Sequence, residues 1–331
     1  MVSTIVILLF ILSVIIYLSA DNFGLLLNSK FIVNPQPVPQ ENYTSVIEFL
    51  TKDLSRVVKD YSKEVEKLKT SRYNVTGSIV ENSFAKMEYK FPLINNTVSS
   101  FSCDLYPANV SRLVDSFGVS SPHIENNGDG ISYSVPTEEN ELEQFMKNLH
   151  EGCWYLNEDN KIDINYAQIV SIQNEFTVPI AKQIENELKT HKLDTYFNRV
   201  QAALNFVQHI PYGLPEFDAR EFKYFGIALP AESFVLNYSD CDSKSIFLAA
   251  LLSSLIQVDN IVLVKCKVAG SDEDVAGHHM MVAIKGLGIS HGRFVESDGE
   301  RFLMIETTRP SVIGHWSWES FELKRIVKLQ S

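Results

Sequence analysis

An unbroken apolar run opens the chain. Residues 2–20 carry no charged side chain and consist mostly of Ile, Val, Leu and Phe. A helix over that stretch, at about 1.5 Å per residue, reaches about 28 Å, close to the hydrocarbon thickness of a bilayer. A helix apolar on every side is hard to bury inside one domain. The pattern therefore predicts a membrane span, either an uncleaved anchor or a signal peptide. The Leu18-Ser19-Ala20 ending offers a small residue at a cleavage point, whereas no basic segment precedes the run. Lys30 is the nearest positive side chain and gives the positive-inside rule little to weigh. Pro35, Pro37 and Pro39 mark residues 21–42 as an extended spacer that holds the following module away from the bilayer. That module is expected to be periplasmic or extracellular, and secreted if the segment is cleaved.

From residue 43 the period changes. Apolar side chains fall at 43, 46, 47, 50, 54, 57, 58, 61, 65 and 68, one face of an amphipathic helix, with Lys, Asp and Glu on the other. That stripe suits packing on its own domain or a coiled-coil partner. Beyond it, strands are predicted at 73–80, 85–93 and 131–135, and helices at 108–117 and 138–150. Gly118 is placed to end the first of these helices. Residues 157–163 are rich in oxygen-bearing side chains but lack the glycine and distal glutamate of an EF-hand loop, so they read as a solvated turn. Residues 43–163 thus form a small α+β domain with no chemistry of its own. A helix over 166–192 interrupted at Pro179, and another over 196–209 stopped before Pro211, begin a second domain, 164–331.

Composition narrows the function. At about 150 residues per domain, 331 residues fit two domains, and 45% hydrophobic with 21% charged residues is a globular balance. The formal charge of −12, with no dense Lys/Arg block, argues against nucleic acid as a partner. Four cysteines without a CxxC pair are too few for a disulfide scaffold and unsuited to structural zinc. Cys103 and Cys153 could pair in an oxidising compartment. No organic cofactor is indicated.

The chemistry lies later. In SDCDSKSIFLAALL, Ser239 or Asp240 caps a helix that begins at Cys241, and the run 246–252 is apolar on all sides. A thiol in the first turn meets the positive end of the helix dipole and unpaired N–H groups, both of which favour thiolate. Residues 261–268 form a strand with Val264, Cys266 and Val268 on one face, so Cys266 is a core residue. In GHHMMVAI, alternation sets His279 with Met281, Ala283 and Lys285, and His278 with Met280, Val282 and Ile284. His279 is favoured as a site residue because its face carries polarity. A third strand, 302–305, ends at Glu306, where a carboxylate can accept from an imidazole. Metal binding by His278, His279, His291 and His315 is disfavoured, because adjacent histidines on a strand point to opposite faces.

The order of Cys at a helix start, His at a strand start and an acid at the next strand's end resembles the transglutaminase-like superfamily, a variant of the papain-like core. SDCDSKSIFLAALL resembles its cysteine helix, GHHMMVAI its histidine strand and MIETT its acid-Thr strand. FVQHIPY at 206–212 and LPAE at 229–232 are similar to the lead-in of bacterial members. The resemblance covers roughly 164–320. It implies an α+β fold with the cysteine helix packed on an antiparallel sheet, and acyl transfer or hydrolysis on a protein or peptide amide. Cys241 would be the nucleophile, His279 the proton carrier and Glu306 the orienter, standing where the family usually has Asp. Calcium, needed by some members, has no evident site. The competing expectation is a catalytically silent module of this fold that binds a protein or peptide.

Overall fold

A computed structural model describes residues 76–80, 84–94, 98–105, 113, 116–118, 123–126, 131–210, 212, 227–236, 239–269, 277–308, 310–316 and 318–329. The apolar run 2–20, the spacer 21–42, the amphipathic stretch 43–68 and most of the helix expected at 108–117 lie outside the described residues. Among the described residues, no helix is long and apolar enough to cross a membrane.

The described chain is α+β, with helices packed on an antiparallel sheet. Strands β1 (Thr76–Val80), β2 (Phe84–Pro92) and β3 (Val98–Leu105) form an antiparallel meander. Two short hairpins follow, β4 (Ile124–Asn126) with β5 (Ile131–Tyr133), and β6 (Trp154–Leu156) with β7 (Ile162–Ile164). Helix α1 (Glu139–Glu151) lies between them in sequence. Helices α2 (Tyr166–Thr190), α3 (Tyr196–His209), α4 (Pro230–Leu236) and α5 (Cys241–Ser253) then lead into the main sheet. Its strands are β8 (Ile261–Ala269), β9 (Gly277–Ile284), β10 (Phe294–Ser297), β11 (Glu300–Ile305) and β12 (Ser320–Lys328), in the order β10-β11-β9-β8-β12.

Alternation along these strands divides the core in two. Met280, Val282, Ile284, Leu303 and Ile305 join the helices in one apolar cluster. Met281, Ala283, Val262, Val264, Cys266 and Met304 form a second on the opposite face, closed by Trp318. The first cluster runs without a break from Leu93 to Leu329, and so includes residues on both sides of position 163. At its centre Phe247 of α5 meets Phe176 and Phe206 at ring distances of 6.2 and 5.8 Å. As expected for a helix apolar all round, every residue from Ser243 to Leu252 is buried.

Some elements depart from their sequence signals. Helix α2 runs continuously through Pro179. Proline removes one helical hydrogen bond, but Phe176, Thr177, Ile180 and Ala181 are all buried, and Thr177 Oγ1 donates to the Ala250 carbonyl at 3.1 Å. Packing thus carries the helix across the break. The turn at 157–163 is a hairpin tip in which Asn157 Oδ1 accepts from the N–H groups of Asp159 and Lys161. Its last residue is engaged, since Asp163 ion-pairs with Arg325 of β12. Asp298 and Gly299, at φ 52° and 75°, make the two-residue β10–β11 turn, the backbone that Asp-Gly favours in tight hairpins. Cys153 is a free, buried thiol that donates to the Ser116 carbonyl at 3.4 Å, and burial pushes its pKa up to about 12.

Candidate active site

The start of α5 is fixed from several sides. Asp240 is its N-cap, in extended conformation, and its Oδ1 accepts from the Ser243 N–H at 3.0 Å. Ser243 Oγ in turn accepts from the Ala228 N–H at 2.8 Å. Ser239, just before the cap, forms a parallel β-bridge with Tyr212 and shares a hydrogen bond with Ser233 Oγ at 3.0 Å. Burial outweighs the bonds from Ser243 and pushes the Asp240 carboxyl up to about 6. The fold therefore holds this proton more tightly than the unfolded chain, and Asp240's contribution falls as pH rises from about 4 through 6. Asp240→Ala is expected to cost about 1 kcal/mol through loss of the cap. Asp240→Asn keeps the cap, so its stability relative to wild type should improve over that pH window. Chemical denaturation at pH 4 and pH 7 reads both effects.

Cys241 stands where two strands part. Strands β9 and β11 pair from Leu303↔Ile284 to Ile305↔Val282 and no further. Past that point the first turns of α5 take up the free edge of β9. Ser245 Oγ donates to the Met280 carbonyl at 2.9 Å and shares a hydrogen bond with Thr307 Oγ1 at 3.0 Å. The Met280 N–H donates to the Cys241 sulfur. Cys241 Sγ is thereby tied to the peptide that joins His279 to Met280.

His279 and Glu306 meet on the other side of that peptide. His279 Nε2 lies 3.3 Å from Glu306 Oε2, and both residues are buried. Three further donors converge on the carboxylate: Trp318 Nε1 at 2.8 Å, and the N–H and Oγ1 of Thr308 at 2.7 and 2.5 Å. Burial alone would raise the Glu306 pKa, but the charge and hydrogen bond of His279, together with Thr308, hold it well below the carboxylate range. The Trp318 ring lies 5.3 Å from the imidazole and walls it off. With Nε2 directed at Glu306, Nδ1 is the ring nitrogen left to exchange a proton.

The structure thus brings His279 and Glu306 into contact and sets Cys241 against the backbone next to His279. His278 is exposed at the strand start, paired across to Lys267. Polarity of its strand face does not single out His279, contrary to the sequence expectation. That face is in fact apolar, with Met281 and Ala283 wholly buried; what sets His279 apart is the carboxylate that meets it. Cys266 is a core residue, donating to the His279 carbonyl at 3.5 Å. Among the described residues, no group of three or more His, Cys, Asp and Glu side chains is placed to hold a metal ion.

One expectation requires correction. The helix start was expected to favour thiolate, yet burial and the carboxylates of Asp242 and Asp240 raise the Cys241 pKa, against the single opposing N–H of Met280. The thiol donates to Asp242 Oδ1 at 3.4 Å. Cys241 therefore rests as a neutral thiol. Asp242→Asn should speed alkylation of Cys241 at pH 7–8 by about threefold or more, because a negative charge beside the sulfur is removed; an unchanged rate would show that Asp242 does not bear on it.

Two residues of the site carried no sequence signal for it. Trp318 lies in a stretch with no strong pattern. Tyr212 belongs to the lead-in segment, and only the fold half-buries it near Asp240, Asp242 and Glu306, where burial first and then those carboxylates push its hydroxyl pKa up. No protein-family model matches the chain, and no curated protein matches it either.

Proposed function

We propose that the chain is a membrane-tethered, transglutaminase-like cysteine enzyme with a papain-like core, acting on an amide of a protein or peptide. One observation carries the reading: Cys241, at the first turn of a buried helix, is bonded to the peptide that follows His279, whose ring is held by Glu306. In the first step the Cys241 proton passes to His279 through Nδ1 and the sulfur attacks the carbonyl carbon. Stabilisation of the developing oxyanion falls partly to the backbone N–H of Cys241, which at the helix start has no partner within the helix. Collapse breaks the C–N bond, His279 returns the proton to the leaving amine, and a thioester remains. Water or a second amine then attacks the thioester carbonyl and gives a proton to His279; the C–S bond breaks, the acid or new amide leaves, and the proton returns to the sulfur. Glu306 stabilises the imidazolium in both halves.

The neutral resting thiol favours a second reading, a silent module that binds a protein or peptide without acting on it. Alkylation of Cys241 against pH in the full-length chain, followed at the Cys241 peptide by mass spectrometry, separates the two. The enzyme reading expects labelling at pH 7–8 that depends on His279 as the base: slowed about tenfold or more in His279→Ala and retained in His278→Ala. An ordinary thiol titration indifferent to both histidines would leave the binding module.

A further inference from the structure

Lys244 lies one helical turn inside α5 from Cys241, and its side chain has no exposed surface. The chemistry proposed above makes no use of it. A fully enclosed ammonium is uncommon and needs compensation from nearby polar or negative groups. The Lys244 Nζ reaches the Gln208 carbonyl at 3.5 Å, at the end of α3. Gln208 then spans to the acid strand: its Nε2 donates to the Glu306 carbonyl at 2.7 Å, and its Oε1 accepts from the Ser311 N–H at 3.3 Å. The ammonium is thus linked through one buried glutamine to the backbone of Glu306.

We propose that Lys244 is a positioning residue for the Cys241, His279 and Glu306 arrangement, its buried charge balancing Asp240 and Glu306 while its contact with Gln208 fixes the strand end that carries Glu306. This rests on the enzyme reading above. The charged and titratable groups that face Lys244 are Asp240 at the cap of its own helix, Glu306 after β11 and His209 at the end of α3. Without the ammonium, Asp240, one of the two carboxylates that raise the thiol, loses the buried lysine that offsets it, and thiolate at Cys241 becomes harder to form. Burial draws the Lys244 pKa down to about 7, against the pull of Glu306 and Asp240. Its charge is therefore gained and lost in the neutral range.

The test is the pH dependence of Cys241 alkylation by iodoacetamide in the full-length chain, mapped to the Cys241 peptide. Wild type is compared with Lys244→Met, Lys244→Gln, Lys244→Arg and His279→Ala. The proposal expects Lys244→Met and Lys244→Gln to slow labelling at pH 6–7 about tenfold, and the difference to close above about pH 8, where the wild-type lysine is itself neutral. Lys244→Arg should stay within about threefold of wild type, because it restores the charge. A wild-type labelling rate at pH 6–7 in both uncharged variants overturns the proposal and leaves the enzyme reading intact. So does an equal loss in Lys244→Arg, which would show that packing and not charge acts. If neither uncharged variant folds while Lys244→Arg does, the charge serves the fold and the positioning role is withdrawn. If wild type itself titrates as an ordinary thiol and His279→Ala changes nothing, the enzyme reading falls and the positioning role falls with it.

Discussion

Glu306→Gln will unfold roughly 10 °C below wild type at pH 7, and the gap will close as the pH is lowered past 4. Replacing one member of a buried, hydrogen-bonded pair costs about 3–5 kcal/mol, and a chain of this size loses about 2–4 °C per kcal/mol. The glutamine can keep one acceptor oxygen, but its NH₂ must then face one of the donors of Trp318, Thr308 or His279 that now converge on the carboxylate. The pH dependence follows from the sign of the shift. Glu306 is held below its ordinary value in the fold, so its stabilisation is present above about pH 4.5 and is lost as pH falls through and below that range. Thermal unfolding of both proteins from pH 3 to pH 8 checks this. A constant difference across the range would mean that the carboxylate's charge contributes nothing. Labelling of Cys241 should slow in the same variant, because the imidazole loses the group that orients it.

Phe247→Ala is expected to cost about 3–5 kcal/mol, the range for emptying a buried aromatic site. Phe247 is wholly buried, and its ring meets Phe176 and Phe206 in the layer that fixes α5 against α2 and α3. The site is six positions away on the same helix, yet the pH midpoint of Cys241 labelling should not move, because none of the groups that set it changes. The denaturation midpoint and the labelling midpoint therefore separate scaffold from chemistry. A shifted labelling midpoint would show that the position of Cys241 depends on the aromatic layer, not only on its cap and the edge of β9.

The elements that carry the site were legible because their patterns are local. A polar cap before an all-apolar run defines α5, and alternation defines β8, β9 and the last residues of β11. What escaped had weaker local signals. Strand β12 reads as mixed polar sequence because it is an edge strand, with Glu322 and Lys324 exposed. Strand β10 is announced only by Asp298-Gly299, a turn signal that needs a matching run on both sides. Periodicity sets His278 and His279 on opposite faces but gives neither a partner. Only the register that ends β11 at Ile305 brings Glu306 to His279 and leaves His278 exposed. The resting charge of Cys241 could not be read from helix position alone, since it depends on how deeply the thiol and its two flanking carboxylates are enclosed.

The Met280 peptide has a consequence for observing the site. Its N–H and carbonyl are both taken by α5, the one by Cys241 and the other by Ser245. An amide bonded to sulfur is sensitive to the state of that sulfur, so its ¹⁵N resonance should respond to deprotonation, alkylation or thioester formation at Cys241. The same amide exchanges with solvent only when α5 withdraws from the strand. A single spectroscopic probe therefore reports the covalent state of the nucleophile through its frequency and the closure of the helix–strand junction through its exchange rate.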